Sequence, residues 1–429
     1  MMKKSVYFET YGCPSNKYDQ AVMVACLEGS EYAIVDDPQD ADIFVINTCG
    51  VKKTTEDRIL SRLRRLHSLG KPVVVAGCLP RIDAHAIEDA LPGYLAMLDP
   101  LSIDRIAVAL QGLECGVRTR RFFSNEKKVK TEMPTYRRDS VFAIVPISEG
   151  CLGACTFCCT RFARGRLFSY PVQSIVDHVK KLVADGVVDI WLTAQDVGAY
   201  GLDRDRDLVD LLEAICAING NFCLRVGMMN PHHVLRILDR LVGAYRDRKV
   251  FKFLHLPVQS GNDEVLQRMN RTYTVGDFEK IVDTFREGIP ALTLSTDVIC
   301  GFPTEDAGAF EDTCHLISKV APDVVNITKF SPRPRTIAAA MKQLPSQTVK
   351  ARSRRMTALC KTVSLMRNQR WVHWEGDILL EERGKGSSMV GRNFAYKPVV
   401  LDGGADRLGE RTRVTVIGAT ATYLMGESN

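Results

Sequence analysis

Three closely spaced cysteines, Cys151, Cys155 and Cys158, form a C-x3-C-x2-C pattern just after an apolar run over residues 142–147. A [4Fe–4S] cluster usually has four thiolate ligands, so three thiolates leave one iron open to another ligand. The pattern therefore predicts a cluster with an open iron. Two alternatives remain at this point, a zinc knuckle and a set of buried core cysteines.

Three further cysteines recur in one topological position. Apolar runs that are typical of strands end just before Cys13, Cys49 and Cys78, and helical patterns separate these runs. Buried strands that alternate with helices predict a parallel sheet, and ligands of such sheets bind at the carboxyl ends of the strands. We therefore expect the three thiols to converge on a second three-coordinate cluster. The alternative is that each thiol is a small buried core residue.

Length and composition limit the class of protein. The 429 residues are enough for two to four domains, and 45% of them are hydrophobic, as in ordinary globular proteins. The N-terminus has no secretory apolar segment, and no apolar stretch approaches the roughly 18 residues of a membrane-spanning helix. Fourteen cysteines without a secretory signal argue against a disulfide framework. These features predict a cytoplasmic protein without a membrane partner.

Positive charge is concentrated in two stretches, although the net charge is only +6. Residues 116–138 contain eight Lys or Arg against two acids, and residues 350–370 contain seven Lys or Arg and no acid. Basic faces on a mildly acidic body suit a polyanion such as RNA. The alternative is that both stretches are solvated faces of a linker and a helix.

The middle of the chain predicts a second α/β unit. Strands are expected at residues 142–147, 189–193, 222–226, 251–256, 292–298 and 324–329. Helical patterns lie between them, for example at residues 172–185, 231–245, 275–287 and 305–320. Six βα units are too few for a complete eight-stranded barrel. We therefore predict a partial (β/α)6 barrel, open on one side and able to admit a large substrate.

The end of the chain changes in character. A long helix is predicted over residues 346–370, and short glycine-rich strands follow at residues 376–381, 388–390, 399–401 and 413–417. This pattern favours a small β-barrel of the oligonucleotide-binding type. Arg383, Arg392 and Lys397 lie in a run that also contains aromatic residues, which suits RNA backbone contacts and base stacking. An ordinary pair of polar loops is the alternative.

The whole chain resembles the radical S-adenosylmethionine (SAM) methylthiotransferases. The resemblance rests on the three N-terminal cysteine motifs, on residues 150–158 continued by Thr160 and Gly165, on residues 255–261 and 296–303, and on a C-terminal domain similar to TRAM. It implies an N-terminal methylthiotransferase domain over residues 1–115, a basic linker over 116–140 and a radical SAM domain over 141–345. A connecting helix over 346–370 and a TRAM-like RNA-binding β-barrel over 371–429 complete this division.

Residues 150–158, 163–165 and 169–171 are most similar to the archaeal and eukaryotic branch of that family. This similarity implies addition of a methylthio group to C2 of N6-threonylcarbamoyladenosine beside the anticodon of certain tRNAs. Methylthiolation of isopentenyladenosine in tRNA, or of an aspartate in a ribosomal protein, remains an alternative. A hypothesis of another class is a non-catalytic iron–sulfur protein that binds RNA.

The resemblance also implies the cofactors. Cys151, Cys155 and Cys158 would hold the [4Fe–4S] cluster that cleaves SAM. Cys13, Cys49 and Cys78 would hold a second [4Fe–4S] cluster, which presents the sulfur. Radical chemistry from a cofactor suits C2 of adenine because no side-chain base deprotonates that carbon usefully at pH 7. An electron donor and a sulfur donor are expected as partners besides tRNA.

Five other positions are candidates for binding. Gln195 and Asp297, at the predicted ends of strands, are expected to bind polar groups of SAM, with strand-end hydrogen bonding as the alternative. Gln259 and Ser260 are expected to face the same cavity and to bind substrate. Arg333 is expected to pair with a carboxylate or phosphate, or to be an exposed structural arginine.

Two positions depart from the family pattern. Cys159 directly follows Cys158 and offers a competing C-x3-C-x3-C spacing, but we expect Cys158 to be the ligand. Arg335 stands where a glycine is common in the family, so the backbone conformation at that position is open.

Overall fold

A computed structural model of the protein describes residues 3–112, 119–137, 141–403 and 407–428. The proposed boundary between the first domain and the linker falls outside these ranges, as do residues 116–118 and 138–140 of the linker. No helix in the described part of the chain is both long and apolar enough to cross a membrane.

The N-terminal domain is built on a six-stranded parallel sheet. Its strands are β1 Lys4–Thr10, β2 Tyr32–Val35, β3 Ile43–Thr48, β4 Val73–Gly77, β5 Ala96–Leu98 and β6 Arg120–Phe122. They lie in the order β2-β1-β3-β4-β5-β6. The helices are α1 Pro14–Ala25, α2 Lys53–Ser68, α3 Leu79–Ile82, α4 Ala84–Ala90 and α5 Ile106–Gln111. The predicted parallel α/β domain is confirmed.

Three of these strands were predictable from their apolar runs, whereas β2, β5 and β6 were not. Each of the three unpredicted strands has only three or four residues, which is too short for a clear periodic pattern. The order of the sheet makes β1, β3 and β4 direct neighbours. Their carboxyl ends therefore lie side by side at one edge, where the chain order of the sheet reverses.

The central domain has six parallel strands in two groups of three. The strands of this region are β7 Phe142–Pro146, β8 Ser148–Glu149, β9 Phe168–Ser169, β10 Asp189–Thr193, β11 Cys223–Val226, β12 Phe253–His255, β13 Thr293–Cys300 and β14 Val324–Lys329. The parallel groups are β11-β10-β7 and β12-β13-β14, whereas β8 and β9 form a separate antiparallel pair. A bridge from Leu224 to Val250 connects the two groups. The predicted partial barrel is confirmed.

Helices surround these strands. They are α6 Thr160–Arg164, α7 Val172–Ala184, α8 Leu208–Cys216, α9 Pro231–Leu235, α10 Leu238–Tyr245, α11 Asp263–Arg268, α12 Val275–Gly288 and α13 Ala307–Val320. The single helix predicted over residues 231–245 is wrong, since α9 and α10 are separate. They are separate because Ile237 has φ −127° and ψ 16°, outside the helical range. The apolar faces of strands and helices share one large core.

The C-terminal part consists of a long helix and a closed barrel. Helix α14 spans Ser346–Gln369 and packs along β14. The barrel strands are β15 Glu375–Arg383, β16 Met389–Arg392, β17 Pro398–Leu401, β18 Arg411–Ala419 and β19 Leu424–Ser428, in the order β15-β16-β17-β19-β18. The predicted small β-barrel is confirmed. Four of its strands were predicted, and β19 closes it by pairing with both β17 and β18.

Candidate functional site

The N-terminal cysteines lie together at one edge of the sheet. Cys13, Cys49 and Cys78 follow β1, β3 and β4, which are adjacent strands. Gly77 has φ +94°, and a Cβ there would lie 2.4 Å from the carbonyl oxygen of Thr48. Only glycine allows this close approach of β4 to β3. The local backbone therefore gathers three thiols that are far apart in the sequence.

The thiols of this N-terminal triad influence one another electrostatically. The pKa of Cys78 is raised to about 12, mainly by burial; the charge of Arg164 lowers it, and Cys49 and Cys13 contribute to the rise. Burial likewise raises the pKa of Cys49, with a contribution from Cys13. Three thiols that lie together can bind a metal cluster as thiolates, because metal binding displaces their protons. The donor set therefore fits an iron–sulfur cluster, and Cys13 is exposed at its rim.

The central cysteines come from one loop between β8 and α6. Gly150 has φ +81°, and a Cβ there would lie 2.0 Å from the carbonyl oxygen of Arg166. The Gly153 N–H donates to Cys151 Sγ at 3.2 Å. A Cβ on Gly153 would lie 3.3 Å from Cys151 Sγ and 3.7 Å from Cys155 Sγ. The two sulfurs therefore lie on the same side of the loop.

A half-buried arginine, not predicted from the sequence, supports this central triad. Arg271 Nη1 donates to Cys155 Sγ at 3.2 Å, and Arg271 Nε donates to the Tyr273 hydroxyl at 3.0 Å. The loop is also fixed to the segment before Arg271, because Thr156 N–H donates to the Met269 carbonyl at 3.0 Å. Hydrogen bonds from a cation stabilise a thiolate. The central donor set therefore also fits a cluster.

A site for a single metal ion is a different arrangement. Within the described ranges, no three His, Cys, Asp or Glu side chains are arranged to hold one ion. A cluster places its ligands farther apart than one ion does, because the thiolates bind different irons. The zinc-knuckle alternative therefore has no compact ligand set in the described residues.

Of the two residues predicted to bind SAM, Gln195 lies beside the central triad. Gln195 Oε1 accepts a hydrogen bond from Gly150 N–H at 2.6 Å, and its Nε2 lies 3.4 Å from Ser15 Oγ. This amide therefore connects the cysteine loop to α1 of the N-terminal domain. Asp297 lies within β13, and its carboxylate contacts His255 Nε2 at 3.2 Å. Burial raises the pKa of Asp297, but the hydrogen bond and charge of His255 outweigh it and the pKa is lowered.

Gln259 and Ser260 have different environments. The Gln259 backbone has φ +71°, and its N–H donates to the Asp297 carbonyl at 2.8 Å. Its side chain is partly exposed. Ser260 is 1% exposed, and its hydroxyl lies 3.5 Å from that of Thr313 on α13. The Ser260 side chain thus packs against a helix, and its contact with substrate remains a prediction.

The loop after β14 contacts the N-terminal domain. Arg333 is buried and forms an ion pair with the Glu56 carboxylate of α2. Its expected pairing with a carboxylate therefore occurs within the chain, and the exposed-arginine alternative is wrong. Arg335 has φ +63° in the left-handed region, which explains why glycine suits this position. Its guanidinium bonds the Arg81 carbonyl of the N-terminal domain.

Cys159 lies between the two domains. It is buried, and its thiol donates to the Gly50 carbonyl at 3.2 Å. Burial raises the pKa of Cys159 to about 11, and Cys158 contributes to the shift. Cys159 thus lies within electrostatic reach of the central triad, while its hydrogen bond points to the N-terminal domain.

In the C-terminal barrel, the run that contains Arg392 and Lys397 packs against the rest of the protein. Lys397 is 3% exposed, and its Nζ bonds Asp323 Oδ1 at 2.8 Å and Asn368 Oδ1 at 2.7 Å. Arg392 forms ion pairs with Glu381 and Glu382, and its guanidinium lies over the Tyr396 ring. This run packs against the central domain, and the RNA contacts of Lys397 and Arg392 remain predictions. Arg383 is exposed.

A cavity of about 470 Å³ opens beside Cys155. Its walls come from the cysteine loop and from segments that follow β10, β11 and β12, namely Leu152, Gly153, Ala154, Leu202, Asn230, His232, His233, Arg236, Asn270 and Thr272. His233 Nδ1 bonds Asp196 Oδ2 at 2.8 Å, which fixes one wall. Such a cavity gives a ligand direct access to the central triad.

Three family matches cover most of the chain. Residues 5–98 match "Uncharacterized protein family UPF0004", residues 145–317 match the Radical SAM superfamily, and residues 375–428 match the TRAM domain. The match to the Radical SAM superfamily includes the C-x3-C-x2-C loop and the strands around it. The fold and the central triad thus define a radical SAM enzyme.

Curated relatives narrow the class. A probable threonylcarbamoyladenosine tRNA methylthiotransferase of Pyrococcus abyssi is 44% identical over 427 residues, covering 98% of this chain and 99% of that protein. The threonylcarbamoyladenosine tRNA methylthiotransferase of Danio rerio is 34% identical and covers 99% of this chain and 78% of that protein. The chain belongs to the threonylcarbamoyladenosine tRNA methylthiotransferase family. It is therefore a transferase, and the hypothesis of a non-catalytic RNA-binding protein is wrong.

Solved structures share the fold. The radical S-adenosylmethionine methyltransferase TsrM from Kitasatospora setae, with cobalamin and a [4Fe–4S] cluster bound, has a TM-score of 0.56 at 17% identity. That similarity covers 79% of this chain and 74% of the other. The cobalamin-dependent radical enzyme OxsB has a TM-score of 0.55 at 10% identity, covering 83% of this chain and 55% of the other. At these identities the similarity concerns the fold alone.

Proposed function

We propose that this protein adds a methylthio group to C2 of N6-threonylcarbamoyladenosine beside the anticodon of tRNA. The observation that carries the proposal is a pair of three-thiol sites on two domains, with side chains of each domain bonded to the other. Gln195 contacts Ser15, Arg164 forms an ion pair with Asp19, and Cys159 and Ala163 pack in one cluster with Cys78 and Ile82. One three-thiol site alone would suit many radical SAM reactions, whereas sulfur insertion needs a second site that presents sulfur.

The protein uses SAM and [4Fe–4S] clusters. Cys151, Cys155 and Cys158 would hold one cluster, and Cys13, Cys49 and Cys78 would hold the other. When bound, these groups supply radical chemistry at an unactivated carbon, a sulfur atom and a methyl group.

The side chains around the central triad orient what binds there. Arg271 and the Gly153 N–H would hold the thiolates of Cys155 and Cys151 in place. The Asp297 carboxylate stays charged because its pKa is lowered, mainly by His255 against the effect of burial, which suits the amino group of SAM. Gln195 would fix the loop and face SAM polar groups. The partly exposed Gln259 would contact the substrate.

tRNA is the substrate that the C-terminal TRAM domain and the family favour. In the C-terminal barrel, Arg383 is the predicted contact that remains exposed. Helix α14 adds exposed Lys350, Arg354 and Lys361, and the helix contains no acidic residue. An electron donor and a sulfur donor complete the proposed reaction, and the tRNA substrate favours a cytoplasmic location.

Nucleoside analysis of tRNA tests the proposal. A strain that lacks the gene is complemented with the wild type, Cys151→Ala, Cys13→Ala or Cys360→Ala, and its tRNA nucleosides are measured by mass spectrometry. Cys360 is buried on α14 and belongs to neither triad. We expect the 2-methylthio derivative to be lost in the first two variants and retained in Cys360→Ala. A deletion strain whose tRNA keeps its full 2-methylthio content would overturn the proposal.

A further inference from the structure

Four buried charges form a closed ring between the two domains. Lys130 Nζ lies 2.5 Å from Asp19 Oδ1 and 2.8 Å from Glu149 Oε2. Arg164 Nη2 lies 2.8 Å from Asp19 Oδ2, and Arg164 Nη1 lies 2.7 Å from Glu149 Oε1. Each carboxylate oxygen therefore has one cationic partner, and the four charges sum to zero.

The ring connects both cysteine triads. Asp19 lies on α1, the helix that begins directly after Cys13. Glu149 is in β8, two residues before Cys151, and Arg164 ends α6, the helix that follows the central triad. Because each member is at most 4% exposed in its side chain, loss of one partner would leave an uncompensated buried charge. The ring therefore fixes the position of one triad relative to the other.

Arg164 also lies close to the N-terminal triad. Its neighbour on α6, Ala163, packs in one buried cluster with Cys78, Ile82 and Cys159. The Arg164 charge lowers the pKa of both Cys78 and Cys49 against the larger effect of burial, and the Cys13 thiol is also within its electrostatic reach. A permanent cation of the central domain therefore acts on all three thiols of the N-terminal triad.

We infer that Arg164 is a positioning residue for the N-terminal cluster, supplied across the domain boundary, and that it raises the reduction potential of that cluster. The inference rests on the proposed function in one respect, namely that the N-terminal triad holds a cluster. Reduction adds negative charge, and a nearby cation with an N–H directed at the ligand sulfur stabilises the reduced form. Asp19 and Glu149 hold the guanidinium in place at the boundary between the two domains.

The test uses the full chain with Cys151, Cys155 and Cys158 all changed to Ala, so that the N-terminal triad is the one reconstituted. Arg164→Met, Arg164→Lys and Lys130→Met are compared in this background by a redox titration monitored by electron paramagnetic resonance. Arg164→Met should lower the midpoint potential by about 59 mV or more, which is a tenfold change for a one-electron couple. Arg164→Lys keeps the charge and should lower it by less.

Lys130→Met is the matched control. It breaks the same ring, but the Lys130 ammonium is bonded to Asp19 and Glu149. We expect Lys130→Met to lower the melting temperature of the apo-protein as Arg164→Met does. Its shift in midpoint potential should be less than a third of the shift caused by Arg164→Met. An unchanged potential in Arg164→Met, or an equal shift in Lys130→Met, would overturn the inference. If Arg164→Met does not fold, a potential in Arg164→Lys equal to or above that of the parent would overturn it as well.

Failure of the proposed function would be visible separately. A triple-alanine parent that takes up no cluster refutes the second cluster itself. A parent that takes up a cluster with the expected Arg164 dependence supports the inference, whatever nucleoside the complete enzyme modifies.

Discussion

The two cysteine triads are assembled in opposite ways. The N-terminal triad comes from loops after three adjacent strands, with residues at positions 13, 49 and 78, whereas the central triad comes from one loop over residues 151–158. Each triad has an arginine beside it, buried in the case of Arg164 and half-buried in the case of Arg271. Arg271 of the central triad comes from the same domain, while Arg164 of the N-terminal triad comes from the other domain. The central triad therefore has its arginine within its own domain, whereas the N-terminal triad receives its arginine from the central domain.

The different assembly of the two triads indicates which substitutions should disturb each of them. The geometry of the central triad depends on a short loop and its glycines, so local changes should affect it most. The environment of the N-terminal triad depends on domain docking through the charge ring, Arg333 with Glu56, and Arg335 with Arg81. Changes at the interface should therefore affect the N-terminal triad first.

The largest effect should come from removing a ligand of either triad. Cys158→Ala should abolish both SAM cleavage and methylthio product, because the central cluster is lost. Cys78→Ala should abolish the product but keep reductive cleavage of SAM, which is measured as 5′-deoxyadenosine by chromatography. If Cys78→Ala also stops SAM cleavage, the two triads are not separable in the way described.

A glycine pair should sharpen the comparison. Gly150→Ala places a Cβ 2.0 Å from the Arg166 carbonyl oxygen, and Gly77→Ala places one 2.4 Å from that of Thr48. Each backbone strain costs about 1–3 kcal/mol. We expect Gly150→Ala to lose iron from the central site and Gly77→Ala from the N-terminal site, measured in each case with the other triad changed to alanine.

Gly243→Ala is the control for that pair. A Cβ at Gly243 on α10 meets no heavy atom within 4 Å, and alanine stabilises a helix by about 0.5–1 kcal/mol relative to glycine. Iron content should be unchanged and the melting temperature equal or higher. Equal iron loss in all three variants would show that the glycines do not shape the sites.

A smaller effect is expected at the arginine of the central triad. Arg271→Met removes the N–H donated to Cys155 Sγ, and a hydrogen bond to a charged group contributes about 1.5–3 kcal/mol. We expect the midpoint potential of the central cluster to fall and SAM cleavage to slow by about tenfold. The N-terminal cluster, measured with the central cysteines changed to alanine, should keep its potential. A shift of equal size there would contradict the assignment of one arginine to each triad.

The smallest effect is expected at the interface between the C-terminal barrel and the central domain, which contains no cysteine ligand. Burial raises the pKa of Glu381 to about 9, with Asp189 contributing, and burial raises that of Asp189 to about 6. Since the folded protein binds these protons more tightly than the unfolded chain, this contribution to stability is full below about pH 4 and is lost as the pH rises through about 6 to 9. Lys130 and Arg164 neutralise the carboxylates of the charge ring, whereas protons neutralise this pair of carboxyl groups.

Glu381→Gln should therefore flatten the decline of melting temperature between pH 6 and pH 9. One proton corresponds to at most about 1.4 kcal/mol per pH unit. Both triads should retain their iron in this variant. A wild-type melting temperature that rises over this pH range would refute the proposed protonation of the pair.

Much of the architecture follows from sequence patterns because apolar strands end visibly at cysteines. Cys13, Cys49 and Cys78 share a position relative to their strands, so their convergence was predictable. The partners of Arg164 were not, because Asp19 and Cys78 lie far away in the sequence and meet it only after the domains dock. Arg271 was missed because its partner Cys155, although in the same domain, lies 116 residues away in the sequence.

The packing of the C-terminal barrel was not predictable for another reason. Lys397 and Arg392 lie in a run of cations and aromatics that looks the same whether it faces RNA or a neighbouring domain. Tyr396 of that run packs against Phe251 and Phe253 of the central domain. A sequence pattern shows which side chains a surface carries, but it does not show whether RNA or a neighbouring domain covers that surface.

Helix α14 sets a length scale for the substrate. It begins near Gly301 at the carboxyl edge of the barrel strands and ends near Asp323 at the amino edge. Its 24 residues correspond to about 36 Å at 1.5 Å per residue. The triads and the C-terminal barrel thus lie at opposite edges, so a ligand that contacts both must be longer than a nucleoside. We therefore expect the enzyme to prefer a folded tRNA to a short anticodon fragment, because the tRNA is long enough to contact both edges.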